Sequence, residues 1–277
     1  MRKLLTVFGA TGQQGGNLID YTLSNPELSR AYKIRGITRD PSKPAAVEFQ
    51  ERGVEMVKAD MDDEASLKLA VAGSFAVFAV TNFWEKASAA IEIAQGKAMA
   101  DAAVAAGASL LIWSTLPNVT KMTDGTLTGV VQWDSKADNI NGDFEFAQTW
   151  NADTRIPLID IKDTGKYLAP ALLNPKKYSG KIFTAATAYY TGPEMADTWT
   201  KVTGKKVRFV QIPGGTTKVS LPPEMMRILK DSLGLIKDYE YYGPTGEREV
   251  QWTLEQIEGK ASTWEEFVRA KEPWFEL

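Results

Sequence analysis

Neither cysteine nor histidine occurs among the 277 residues of this chain. The first absence excludes disulfides, thiolate catalysis and cysteine-ligated metals. The second removes the side chain that titrates near neutrality. With it go the commonest general base, the commonest metal ligand and any Ser-His-Asp triad. No apolar stretch approaches the roughly 20 residues of a membrane helix. Met1-Arg2-Lys3 carries the charge of a leader, but Leu4–Phe8 is too short for a leader's apolar core and glycine-rich sequence follows it. A soluble cytoplasmic, possibly nuclear, protein is expected, with no membrane contact. Charge of one sign is also lacking: 32 Lys and Arg face 35 Asp and Glu, a net −3. Without a basic run, direct nucleic-acid binding is not expected, because that affinity comes mainly from neutralising phosphates. At 44% hydrophobic, the chain is long and apolar enough for one large α/β domain or a domain with a smaller appendage.

What the chain does have is concentrated at its start. The apolar run Lys3–Phe8 ends in Gly9-Ala10-Thr11-Gly12-Gln13-Gln14-Gly15-Gly16, and an amphipathic segment follows. This reads as strand, tight turn and helix. Gly9 takes a turn conformation that a β-carbon hinders, Gly12 lets backbone approach a diphosphate, and Gly15 lets helix pack close to strand. The helix N-terminus then offers unpaired N–H groups and a positive dipole end to the phosphates. The spacing Gly-x-x-Gly-x-x-Gly is a variant of the dinucleotide-binding fingerprint.

Up to about residue 115 the pattern alternates. Lys33–Thr38, Val54–Lys58, Phe75–Val80 and Ser109–Ser114 read as strands; Gly15–Leu23, Pro44–Arg52, Glu64–Ala72 and Ala87–Ala106 read as helices. In the last, Ile91, Ala94, Ala98 and Ala102 form the stripe expected to face a sheet. Strand–helix alternation with short connections predicts a Rossmann-like, doubly wound parallel sheet. Later segments read as a helix at Asp163–Leu173, strand Lys181–Ala185, helix Glu194–Thr203, strand Lys206–Gln211, and helices Pro223–Leu233 and Trp264–Lys271. The expected organisation is a dinucleotide-binding domain over 1–150 and a smaller C-terminal α/β lobe over 151–277, partly integrated with the first.

Candidate site residues lie where strands end. Arg39 follows the second strand, at the position that meets the adenosine ribose. An arginine there suits a 2′-phosphate, with Lys43 as a second charge; a solvated charged turn is the alternative. NADP is therefore the expected cofactor, with NAD possible. Asp40 opposes a phosphate if it points inward. Asp60 and Met61 end the third strand, either bracketing the adenine or, for the methionine, joining the core. Thr81 and Asn82 end the fourth strand and can line the central ribose. Phe83 and Trp84 then form an aromatic wall or a lobe contact. Lys97 sits among alanines in the long helix, where a lysine is commonly a surface group. Ser114 ends the fifth strand.

Taken together these segments resemble the NmrA-like family, atypical members of the short-chain dehydrogenase superfamily. The resemblance rests on Gly9–Gly16, Thr38-Arg39-Asp40-Pro41, Thr81-Asn82-Phe83-Trp84-Glu85, Gln95-Gly96-Lys97, Trp113-Ser114-Thr115-Leu116-Pro117-Asn118 and Trp133-Asp134-Ser135-Lys136. Arg155–Asp160 and Gly192-Pro193-Glu194 match as well. It implies an NAD(P)-binding protein with little or no dehydrogenase activity, acting as a redox sensor or as a corepressor that binds transcription factors; some relatives are true reductases. It also implies cofactor contacts from Lys97 and Lys136. Short-chain dehydrogenases use a hydroxyl such as that of Ser114 with Tyr-x-x-x-Lys, the tyrosine donating the proton. Here Gln132 stands four residues before Lys136, so no catalytic set is expected; without cysteine or histidine no metal site is expected either. A protein partner, a transcription factor or a second copy of the chain, is expected instead. The chain departs from the family after Lys136, where Ala137-Asp138 runs straight into Asn139-Ile140-Asn141-Gly142-Asp143 and the family's helix–strand unit is missing. The sixth strand position is expected to be empty, or filled by Phe144–Trp150 as a half-buried strand, leaving an open sheet edge.

Overall fold

A computed structural model describes residues 2–115, 137–140, 143–148, 150–211, 227, 231–232, 234–236 and 238–272. The elements of the first half are β1 (Lys3–Val7), α1 (Gln13–Ser24), α2 (Pro26–Ala31), β2 (Tyr32–Thr38), α3 (Pro44–Glu51), β3 (Glu55–Lys58) and α4 (Glu64–Val71). Then come β4 (Ala76–Ala79), α5 (Phe83–Lys86), α6 (Ala89–Ala105) and β5 (Leu110–Trp113). The second half holds β6 (Ala137–Ile140), β7 (Asp143–Gln148), β8 (Ile156–Leu158), α7 (Thr164–Leu173), β9 (Ala188–Tyr190), α8 (Gly192–Thr203), β10 (Val207–Gln211), α9 (Gly246–Gln256) and α10 (Trp264–Ala270). The chain folds into two compact units: residues 1–116 with 161–182 and 256–258, and residues 117–160 with 183–255 and 259–277.

The first unit is the expected parallel α/β sheet, in strand order β3-β2-β1-β4-β5. Leu4, Leu5, Thr6 and Val7 of β1 and all of β4 are buried, because helices cover both sheet faces and a central parallel strand has no polar side. Leu5, Val7, Leu18, Ile19, Tyr32, Ile34 and Phe78 fill one face. Phe8, Ile37, Leu67, Val71, Val77 and Met99 fill the other. Buried Thr6 is satisfied by a 2.6 Å hydrogen bond between its hydroxyl and that of Ser74.

The stripe on α6 differs from the expected one. Its buried residues are Gly96, Met99, Ala102 and Ala103, while Ile91 and Ile93 stay exposed. A helix apolar nearly all round offers no contrast from which its inner face can be read.

Tyr32 ties the sheet to α7, donating from its hydroxyl to the Leu172 carbonyl at 2.6 Å. Burial pushes its pKa up to about 12. A folded value raised above the unfolded one, about 10, gives a contribution complete below pH 10 and lost as pH climbs through 12. Tyr32→Phe should therefore cost about 1 kcal/mol at pH 8 and flatten the alkaline fall in stability, as read from urea titrations at pH 8 to 12.

In the second unit β7 pairs in parallel with β10 and antiparallel with β6. Of the Phe144–Trp150 segment, the part up to Gln148 is thus strand, with Phe146 and Gln148 buried, but it lies in this separate sheet and not beside β5. Among the described residues β5 has only β4 as a neighbour. Phe146, Trp150, Met195, Trp199, Val207 and Val268 form the core here. Capping boxes at Thr191–Glu194 and Thr263–Glu266 start α8 and α10. The expected strand at Lys181–Ala185 does not form; strand β9 begins only at Ala188. The expected helix at Pro223–Leu233 lies mostly outside the described residues.

Candidate nucleotide site

The five parallel strands end on one edge, and β1 and β4 flank the point where strand order reverses, the usual ligand crevice of such sheets. The glycine turn sits there. Gly9 adopts φ +62°, in the left-handed region that disfavours a side chain. Its carbonyl accepts the Gly12 N–H at 2.8 Å, and the Gly12 carbonyl accepts the Gly16 N–H at 2.9 Å. A β-carbon on Gly15 would lie 2.3 Å from the Gly9 carbonyl oxygen and 2.9 Å from that of Phe8. The first turn of α1 can approach β1 only because none is present.

Buried Ala10 donates its N–H to the Ile37 carbonyl at 3.2 Å, fastening the turn to β2. Thr11 and Gln13 are exposed. No side chain caps α1 and no acid stands in its first turn, so its N–H groups and positive dipole end are left for an anion. These features fit the diphosphate of a dinucleotide. Gln14 reaches the far side of the edge, where its Oε1 accepts from the Ser114 hydroxyl at 2.7 Å.

At the end of β2, Asp40 turns onto Ser42. Its carboxylate accepts the Ser42 hydroxyl at 2.6 Å and the Ser42 N–H at 3.0 Å. Those hydrogen bonds hold its pKa below the usual carboxylate range. Arg39 forms an ion pair with Glu85 of α5, a contact that spacing in the sequence does not signal. Lys43 is exposed at the N-cap of α3.

At the end of β3, Asp60 accepts the Asp62 N–H at 3.0 Å. Met61, half-buried, packs against the core cluster of Phe8, Leu67 and Met99. At the end of β4, the Thr81 hydroxyl donates to Glu92 at 2.7 Å, Asn82 is the N-cap of α5, and Phe83 and Trp84 meet edge to face with centroids 5.4 Å apart.

The edge thus gathers Gly9–Gly15, Arg39, Lys43, Asp60, Met61, Thr81, Asn82, Phe83 and Ser114. Lys97 is engaged elsewhere: its ammonium pairs with Asp101 at 2.6 Å on the exposed side of α6, and that contact raises its pKa. Lys136 and Gln132 lie outside the described residues.

Among the described residues, the end of β5 carries the hydroxyls of Ser114 and Thr115. In the second unit, burial and the charge of Glu247 push Tyr189 up to about 12, poorly matched to acid catalysis near neutrality. The Tyr190 hydroxyl accepts the Trp264 N–H at 3.2 Å. Among the described residues no three His, Cys, Asp or Glu side chains are grouped to hold a metal. No helix there is long and apolar enough to cross a membrane.

Comparison with known proteins gives a consistent picture. The model of the NmrA-like family matches residues 1–141 and 138–268. The NmrA-like family domain-containing oxidoreductase ptmS of Penicillium ochrochloron is 27% identical over 259 residues, covering 75% of each chain. Among solved structures, NmrA, a negative transcriptional regulator in complex with NAD, superposes with a TM-score of 0.79 at 18% identity, covering 97% of this chain and 94% of that one. The NADPH-dependent quinone oxidoreductase of Escherichia coli, complexed with NADPH, gives 0.66 at 20% identity, covering 96% and 99%.

Proposed function

Because the chain belongs to the NmrA-like family, we propose that it is an NADP(H)-binding regulator that senses nucleotide redox state and passes it to a protein partner, such as a transcription factor or a second copy of itself. The observation that carries this reading is the anion-ready glycine turn at the point where strand order reverses. The first turn of α1 has no capping side chain and no carboxylate, and among the described residues the end of β5 carries the hydroxyls of Ser114 and Thr115. The diphosphate would lie on the Gly9–Gly15 turn, the 2′-phosphate near Arg39 and Lys43, and the central ribose near Thr81 and Asn82. The cofactor would bring hydride chemistry; this chain's residues bind and orient it. Occupancy then biases a conformational equilibrium only as far as the two states differ in affinity for the nucleotide.

Calorimetry with NADP+, NADPH, NAD+ and NADH tests this directly. We expect the phosphorylated pair to bind more tightly, and equal affinity for all four would overturn the assignment of Arg39.

A second reading, reduction of a small carbonyl or alkene by NADPH, is favoured by the relatives named oxidoreductases. A positioned proton donor contributes roughly 10²–10⁴ in rate, and Gln132 stands where the resemblance places that donor. A panel of aldehydes, ketones, quinones and enones should therefore give negligible NADPH oxidation. Saturable turnover of any one of them would replace the regulator with a reductase.

A further inference from the structure

Arg39 stands where the adenosine ribose is expected, yet its guanidinium is already engaged by Glu85, 46 residues further along. We infer that Glu85 is a specificity-determining residue for the nucleotide. By holding Arg39 it lowers affinity for the 2′-phosphorylated cofactor and leaves the unphosphorylated one unaffected. This rests on the NADP(H)-binding reading above.

The geometry singles out Glu85 among the nearby acids. Asp40, next to Arg39 in sequence, is turned onto Ser42. Glu92 accepts from Thr81, and Asp62 accepts from Gln95. Glu85 is carried by α5, a four-residue helix that begins at Phe83 and stops at Ala87, whose φ of 48° turns the chain sharply. The Arg39–Glu85 contact thus joins this short helix, which follows β4, to the end of β2.

The chemistry gives the direction. A 2′-phosphate carries about −1.5 to −2 charges near neutrality and matches the planar fork of an arginine. To use Arg39 it must displace a carboxylate of single charge, which then remains close by as a like charge. A 2′-hydroxyl has no such competition to win. The pair is solvent-facing, with side-chain exposures of 63% for Arg39 and 33% for Glu85. Its effect is accordingly a modest adjustment of affinity and not a barrier.

The test is a double-mutant cycle of the full chain, titrated with NADP+ and NAD+ by calorimetry: wild type, Glu85→Gln, Arg39→Ala and both together. Glu85→Gln should tighten NADP+ by roughly threefold to tenfold, from the lost competition and the lost like charge, with NAD+ within twofold of wild type. In the Arg39→Ala background the same change should have little effect. Equal tightening of both nucleotides, weakening of NADP+, or the same gain without Arg39 would each overturn the role of Glu85. Thermal melting of each variant checks the fold, and Glu85→Ala repeats the charge removal with a different side chain. If the wild type binds neither nucleotide, the nucleotide-binding reading falls and this one with it. If it binds both and their ratio is unmoved by Glu85→Gln, only the role of Glu85 falls.

Discussion

Gly15→Val should destabilise the protein by about 3 kcal/mol and reduce nucleotide binding below detection. The first added atom would sit 2.3 Å from the Gly9 carbonyl oxygen and 2.7 Å from its carbon. Both are backbone atoms of a turn fixed by hydrogen bonds on either side, so the clash cannot be relieved by a rotamer change. Overpacking of well-ordered sites commonly costs about 1–3 kcal/mol, and a rigid backbone neighbour puts this case at the upper end. Relief requires α1 to move away from β1, which spoils the spacing of the N–H groups over the turn. Urea titration should show a lower midpoint with an unchanged slope, and calorimetry should show no heat of NADP+ binding. Gly53→Ala is the matched control. Gly53 has φ +85° with nothing within 4 Å of the new atom, so it should cost about 1 kcal/mol of backbone strain and leave binding intact. Retention of wild-type affinity by Gly15→Val would remove the turn from the site.

The second large effect concerns Arg39. Hydrogen bonds to charged groups contribute roughly 1.5–3 kcal/mol. Part of that is offset here, because Arg39 gives up Glu85 when it takes a phosphate, and an exposed pair is worth up to about 1 kcal/mol. Arg39→Ala should still weaken NADP+ by roughly threefold to thirtyfold and leave NAD+ nearly unchanged. The gap between the two nucleotides should also narrow as salt is raised, since screening acts on the extra phosphate. Parallel losses for both nucleotides would mean that Arg39 supports the fold of the edge and not the 2′-phosphate.

Local patterns in the chain made the first unit readable. The run Lys3–Phe8, the three glycines and the alternation up to Ser114 are short-range signals, and β1 to β5 formed where they pointed. Legibility failed where a local pattern is ambiguous or the answer is distant. The α6 stripe was misplaced because isoleucines and alanines surround the helix, leaving Trp113, whose ring lies on Gly96, to choose the inner face. Lys181–Ala185 looked like a strand from its apolar run, but only the Leu158–Ala188 side found a partner. The strand within Phe144–Trp150, which ends at Gln148, was legible by its alternation, while its partners, β10 and β6, were not. The Arg39–Glu85 pair spans two loops that only the sheet brings together, and neither residue's neighbours announce it.

The return of residues 161–182 to the first unit bears on the order in which the molecule can be made. Helix α7 covers the outer side of α1. Gly165 lies so close to Tyr21 that a β-carbon there would sit 2.1 Å from the tyrosine's own, and Leu172 receives the Tyr32 hydroxyl across 140 residues. As the chain leaves the ribosome, the five strands and the glycine turn emerge first, with one side of α1 and the Tyr32 hydroxyl still waiting for their cover. Roughly 45 residues of the other unit must follow before α7 arrives. Nascent chains halted before α7 should therefore remain protease-sensitive, and those halted beyond residue 182 should acquire resistance in the segment that carries the turn.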